Sequence, residues 1–280
     1  MKRKDKETGI PFSGRIGMAA PFIAWGFLWL LLYVVMELLT VTVLPLEWRA
    51  AVTLIVYLPV VYFFDVYLSP EKESGLPDTL PRRAAIVFGI GSETDYLPGL
   101  MIIAAAAGLG LNLALSATLE LIPLPVDLLE SYAEAASPLA DVSFVSVLSS
   151  VVFVPLLEET VFRGLMLRTL RRGIGRIAAL ITVTVIFALM HSHPLWIAYA
   201  AVCGLILGVY YLLFDSTVPT IMLHLGFNAF NYIRIAFPEP ETTKDHVFCL
   251  ILGIVAFALA AAATVFISKK QNKNKENENG

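Results

Sequence analysis

Leu157-Glu158-Glu159-Thr160-Val161-Phe162-Arg163-Gly164 sets two adjacent carboxylates and a guanidinium inside a run of apolar residues. The flanks, from Val142 to Leu170, have the length and composition of a membrane-crossing helix. A charge at bilayer depth costs about 2.5–3.5 kcal/mol even on lenient insertion scales. Glu158, Glu159 and Arg163 therefore need partners, on their own helix or on its neighbours.

The wider composition places this helix among others. Of 280 residues, 58% are hydrophobic and only 15% charged. Soluble domains carry about 25% charged residues, so most of this surface must face lipid or protein, as in a polytopic membrane protein. The fold class expected is all-α, with about eight transmembrane helices around a buried polar site. The net charge of −3 decides nothing by itself. Basic residues flank apolar helices instead of forming an aromatic-interleaved patch, which excludes a nucleic-acid partner. The two cysteines, Cys203 and Cys249, each fall inside an apolar run and form neither a disulfide framework nor a Cys-x-x-Cys motif.

Eight spans are expected, at about Gly17–Leu44, Ala50–Leu68, Pro98–Ile122, Val142–Leu170, Ile177–His191, Pro194–Phe214, Val218–Ile235 and His246–Ile267. The first run is about twice the length of a signal-peptide core and lacks a small-residue cleavage site, so it reads as an uncleaved span. The polar stretch Ser69–Leu97 is expected to be a loop, with a short interfacial helix near Arg82–Phe88. A second loop, Pro123–Asp141, holds Asp127, Glu130, Glu134 and Asp141 without any Lys or Arg. Pro194 suits a helix first turn. Gly204 and Gly208 suit close packing within the bundle. The domain organisation expected is a cytoplasmic segment over 1–16, one transmembrane domain over 17–268, and a disordered cytoplasmic tail over 269–280.

Charge distribution orients this array. With both termini in the cytoplasm, sixteen of the twenty basic residues lie on that side: Lys2, Arg3, Lys4, Lys6, Arg15, Lys72, Arg82, Arg83, Arg168, Arg171, Arg172, Arg176, Lys269, Lys270, Lys273 and Lys275. Arg49, Arg234 and Lys244 fall outside, and Arg163 lies within the membrane. The asymmetry satisfies the positive-inside rule for an even number of spans in the cell membrane.

Helix rise then places the polar residues in depth. Glu158 and His191 lie roughly 20 and 22 Å from the cytoplasmic ends of their helices, and His224 and Asn228 roughly 14 and 20 Å. Three helices of alternating direction thus bring polar groups to one layer. Glu159 and Arg163 are four residues apart and can form an ion pair, whereas Glu158 points about 100° away. His224 and Asn228 share one face for the same reason. A carboxylate, two imidazoles and an amide are suitable parts for hydrolysis by an activated water. A carboxylate shielded from water is a competent base near neutral pH, and imidazole and amide N–H groups can stabilise an oxyanion. Alternatively Glu158, His191 and His224 could ligate Zn2+ and generate the nucleophile on it, as in a metalloprotease. Asn112, Glu37, Asp65 and Glu120 read as packing or lumen-facing groups, and Asn231 as a residue able to line the same cavity. His193 and His246, near span ends, suit interfacial or loop roles.

Glu158-Glu159-x-x-x-Arg163, followed by Phe187-x-x-x-His191 and His224-x-x-x-Asn228, resembles the three-part signature of the CPBP (Abi) family. That family includes the type II CAAX prenyl endopeptidases and bacterial bacteriocin-processing or immunity proteins. The resemblance implies an intramembrane endopeptidase acting on a membrane-associated peptide, CAAX-like or lipidated substrates included. It implies Glu158 as the base that activates water and His191 as the group that orients it. His224 and Asn228 would hold the oxyanion, with Glu159 and Arg163 in support. No His-Glu-x-x-His motif occurs, so an ordinary zincin is excluded. Two readings from other classes compete: a non-catalytic immunity or scaffold protein that binds a peptide or partner in the same cavity, and a transporter using the buried Glu and His. The second would need a water-filled route through both faces, and no repeat with interrupted helices supports it.

Overall fold

In the computed structural model, residues 12–68, 98–137 and 142–278 are described, and among them every regular element is helical. The helix expected near Arg82–Phe88 lies outside the described residues. Within the described residues nine helices follow in order: α1 (Phe12–Val41), α2 (Leu46–Leu68), α3 (Pro98–Leu121), α4 (Val126–Ala136), α5 (Phe144–Ile174), α6 (Arg176–Leu189), α7 (Pro194–Phe214), α8 (Val218–Ile233) and α9 (Thr243–Glu278). Five of these contain segments long and apolar enough to cross a membrane: Ala19–Val41, Gly99–Leu121, Phe144–Ile174, Pro194–Phe214 and Thr243–Ile267. Helix α6 is apolar but shorter. Each of the eight apolar segments expected from the sequence is helical, and the chain is an all-α, multi-pass membrane protein. Side chains such as Phe248, Ile251, Ile254, Leu259 and Phe266 on α9 are exposed, which suits a lipid neighbour and not water.

Two stretches depart from expectation. Val126–Ala136, read as loop, is the helix α4. Its apolar residues recur at helical spacing (Val126, Leu129, Tyr132, Ala133, Ala136), and Pro125 precedes its first turn. Of the acidic residues that suggested a loop, Asp127, Glu130 and Glu134 lie on this helix and are exposed, and Asp141 lies outside the described residues. The tail from Lys269, read as disordered, continues α9 to Glu278. Its Lys, Gln and Glu residues are good helix formers, so the long apolar helix before it propagates without a stop signal.

Helix α5 carries the charged stretch and is not a uniform α-helix. It widens into π-helical turns at Ser149–Phe153 and again at Thr160–Leu167, leaving Val154–Glu159 as α-helix between them. The sequence explains both sites. Pro155 has no N–H for the turn before it, which the wider turn accommodates. The Thr160 hydroxyl donates to the Leu156 carbonyl at 2.7 Å, a local bond that competes with the helical ladder. Such bulges are frequent at functional sites.

Two apolar clusters grip the bundle. One joins α1, α2, α5, α6 and α7 through Trp29, Tyr57, Phe162, Leu165, Leu170, Phe187 and Tyr211. The other joins α3, α7 and α8 through Ala104, Ala107, Leu111, Leu207, Tyr210 and Leu223, with Phe257 of α9 against it. Helix α3 packs mainly on α8 and α9. It meets α8 backbone to backbone: a Cβ on Gly108 would strike the Leu223 carbonyl oxygen, and one on Gly226 the Ala105 carbonyl oxygen. On α7, a Cβ on Gly204 would come within 2.8 Å of Phe187 and one on Gly208 would strike Leu180, so these glycines serve packing inside the bundle as expected.

Candidate active site

The two adjacent carboxylates divide their tasks. Glu159 is fully buried, and its Oε1 accepts from Arg163 Nη1 at 2.8 Å. Arg163 is also fully buried; it donates from Nη2 to the Gly204 carbonyl at 3.0 Å and lies 4.4 Å from the centroid of the Phe187 ring. The sequence-predicted ion pair therefore also pins α5 to α6 and α7. Glu158, one position earlier, opens into a cavity of about 450 Å³ with its side chain 15% exposed.

His191, His224 and Asn228 line that same cavity. The four residues proposed as catalytic thus meet on one water-accessible surface, although they come from α5, the turn after α6, and α8. His224 sits between the carboxylates, with Nδ1 2.9 Å from Glu159 Oε1 and Nε2 3.7 Å from Glu158 Oε2. Spacing within one helix gave no sign of the Glu159–His224 contact, because it joins residues 65 positions apart. His191 Nδ1 lies 2.9 Å from the Phe187 carbonyl. A carbonyl only accepts, so Nδ1 carries the proton and, in the neutral ring, Nε2 is an acceptor. Asn228 Nδ2 donates to the Ser150 carbonyl at 2.8 Å, within the first π-helical turn. That bond fixes the amide's orientation and leaves its oxygen and second N–H for the cavity.

Phe187 is the apolar hub of the site. Its ring contacts His191 at 5.1 Å, His224 at 6.2 Å and Phe162 at 5.1 Å, all edge-to-face, besides covering Arg163. The cavity continues past the four residues along Asn112, Ser116, Tyr199, Asn231 and Arg234, so Asn112 and Glu120 are lining groups and Asn231 lines it too. Cys203 also faces it, and both cysteines are free.

His193 lies apart from this set. It caps α7, accepting from the Leu195 N–H at 3.2 Å, while its Nε2 meets Ser131 of α4 at 3.1 Å. Tyr132 of α4 packs on His193 and Trp196 and reaches the cavity wall. Glu158, His191 and His224 do not form a ready ligand set. Among the described residues, no three His, Cys, Asp or Glu side chains are gathered closely enough to hold a metal ion.

No curated protein and no solved structure matches the chain. Residues 140–230 do match the family model described as type II CAAX prenyl endopeptidase Rce1-like. That segment includes Glu158, Glu159, Arg163, His191, His224 and Asn228, and over it the chain is similar to the CAAX-type intramembrane proteases, the family its three motifs resemble.

Proposed function

We propose that this protein is an intramembrane endopeptidase that hydrolyses a peptide bond of a membrane-associated peptide with water activated by Glu158. The observation that carries the reading is the convergence of Glu158, His191, His224 and Asn228 on one cavity beside a buried, internally neutralised Glu159–Arg163 pair. Lipidated peptides with a CAAX-like C-terminus are the substrate class that the Rce1-like match favours.

Each step follows from the groups present. A water in the cavity donates one hydrogen bond to Glu158 and the other to His191 Nε2, which is an acceptor because Nδ1 is committed to Phe187. As the water oxygen bonds to the substrate carbonyl carbon, its proton passes to Glu158. The carbonyl oxygen becomes an oxyanion facing the free N–H of Asn228 and, in the doubly protonated ring, His224 Nε2–H. Glu159 accepts from His224 Nδ1 in that form and holds the ring in place. Collapse of the intermediate breaks the C–N bond, and Glu158 returns its proton to the leaving amine.

The test uses purified protein in detergent and a quenched-fluorophore peptide bearing a farnesylated cysteine in a CAAX sequence. Cleavage that survives chelation and disappears in E158Q supports the reading. Cleavage lost on chelation and restored by zinc would instead make Glu158, His191 and His224 ligands of that ion, and full activity in E158Q would overturn the assignment of the base. The cell membrane, with both termini cytoplasmic, is the proposed setting, in keeping with the basic flanks.

A further inference from the structure

Beyond the reacting groups, one wall of the cavity carries a hydrogen-bonded chain of three side chains with a defined polarity. Asn112 on α3 is buried and lies 2.6 Å from the Phe227 carbonyl. Since a carbonyl can only accept, the atom facing it is Nδ2, which settles the orientation of the Asn112 amide. Ser116 Oγ donates to its Oδ1 at 2.9 Å. The Asn112 Nδ2 group also reaches Asn231 Oδ1 at 3.2 Å. The oxygen of Asn231 is therefore occupied by a donor, and its own Nδ2 is turned the other way. Asn112, Ser116 and Asn231 all line the cavity, and among the described residues Asn231 Nδ2 has no hydrogen-bond partner.

Resting on the endopeptidase reading, we propose that Asn231 is a substrate-binding residue that donates to a backbone carbonyl of the bound peptide, and that Asn112 is the positioning residue that makes it a donor. Asn231 lies three residues after Asn228, roughly 4.5 Å further along the helix axis. An extended peptide advances about 3.3 Å per residue, so the carbonyl that Asn231 meets belongs to a peptide group next to the reacting one. Asn112 adds a second constraint: its bond to the Phe227 carbonyl fixes α8 between His224 and Asn228. The chain thereby couples the depth of the reacting residues to the orientation of the binding amide.

The experiment measures KM and kcat separately with the same farnesylated quenched peptide. N231A is expected to raise KM about five- to tenfold, the size of one lost hydrogen bond, with the loss falling on KM and not on kcat. N231D, which turns a repelling oxygen toward the substrate carbonyl, should raise it further. N112D removes the donor that holds Asn231, lets that amide turn over, and should raise KM to the N231A level. The double variant N112D/N231A should show no KM increase beyond N231A, because both act through one bond. Unchanged KM in N231A, or additive KM effects in the double variant, would overturn the proposal while leaving the protease reading intact. Should N112D fail to fold, the N231A and N231D comparison decides alone, since Asn231 is exposed. Failure of the unaltered protein to cleave the peptide would overturn the endopeptidase reading on which this one rests.

Discussion

Glu158 and Glu159 differ by one position and by their whole environment. Glu159 is closed off, paired to Arg163 and bonded to His224, while Glu158 faces the cavity. Removing one member of a buried ion pair leaves an uncompensated charge and costs about 3–5 kcal/mol. R163M is therefore expected to lower the unfolding midpoint sharply in detergent, as followed by tryptophan fluorescence. Replacing both partners, as in E159L/R163M, removes the stranded charge and should recover most of that stability. It should not recover cleavage, because Glu159 also holds His224 Nδ1. At His191 the expected loss is catalytic: H191A should slow turnover about 100-fold with little change in thermal stability, since its ring is only partly enclosed. A stability loss in H191A as large as that of R163M would count against a role for His191 in orienting water.

At the scale of elements, the site depends on how closely α8 can approach α3. Gly108 and Gly226 permit contact at the backbone, and a methyl group at either would meet a carbonyl oxygen that cannot yield cheaply. G226A is expected to cost about 3 kcal/mol, the upper end of overpacking penalties, measured by thermal unfolding of the purified variant. Gly99, on the same α3, has open space around it: a Cβ there would meet nothing within 4 Å, and G99A should stay within about 0.5 kcal/mol of the original protein. The sequence made much of this level legible. Apolar runs marked the helices, and helix rise set Glu158, His191 and Asn228 at a common depth. Local spacing also revealed the Glu159–Arg163 pair, because residues four apart on a helix touch. The Glu159–His224 bond and the Asn112–Asn231 contact were not legible, since each joins helices whose relative rotation is set by packing and by the π-helical turns of α5. Helix α4 was hidden by its own acidic face, which resembles a solvated loop when charge is weighed above periodicity.

For the whole molecule, the bundle encloses polar chemistry within an apolar exterior. Lipid-facing side chains on α1, α6, α7 and α9 surround a core in which Arg163, Glu159 and His224 are buried. The proposed cytoplasmic placement of both termini, which rests on the distribution of basic residues along the sequence, predicts that tags at both termini are accessible to protease only from the cytoplasmic face of sealed vesicles. Digestion of either tag from the opposite face would reverse the topology. The role of Glu158 as the base is measured by the rate at which purified E158Q cleaves the farnesylated quenched peptide beside the unaltered protein. Loss of a general base predicts a rate lower by about 100- to 10,000-fold in a variant with an unchanged unfolding midpoint. Cleavage by E158Q at the rate of the unaltered protein would contradict it.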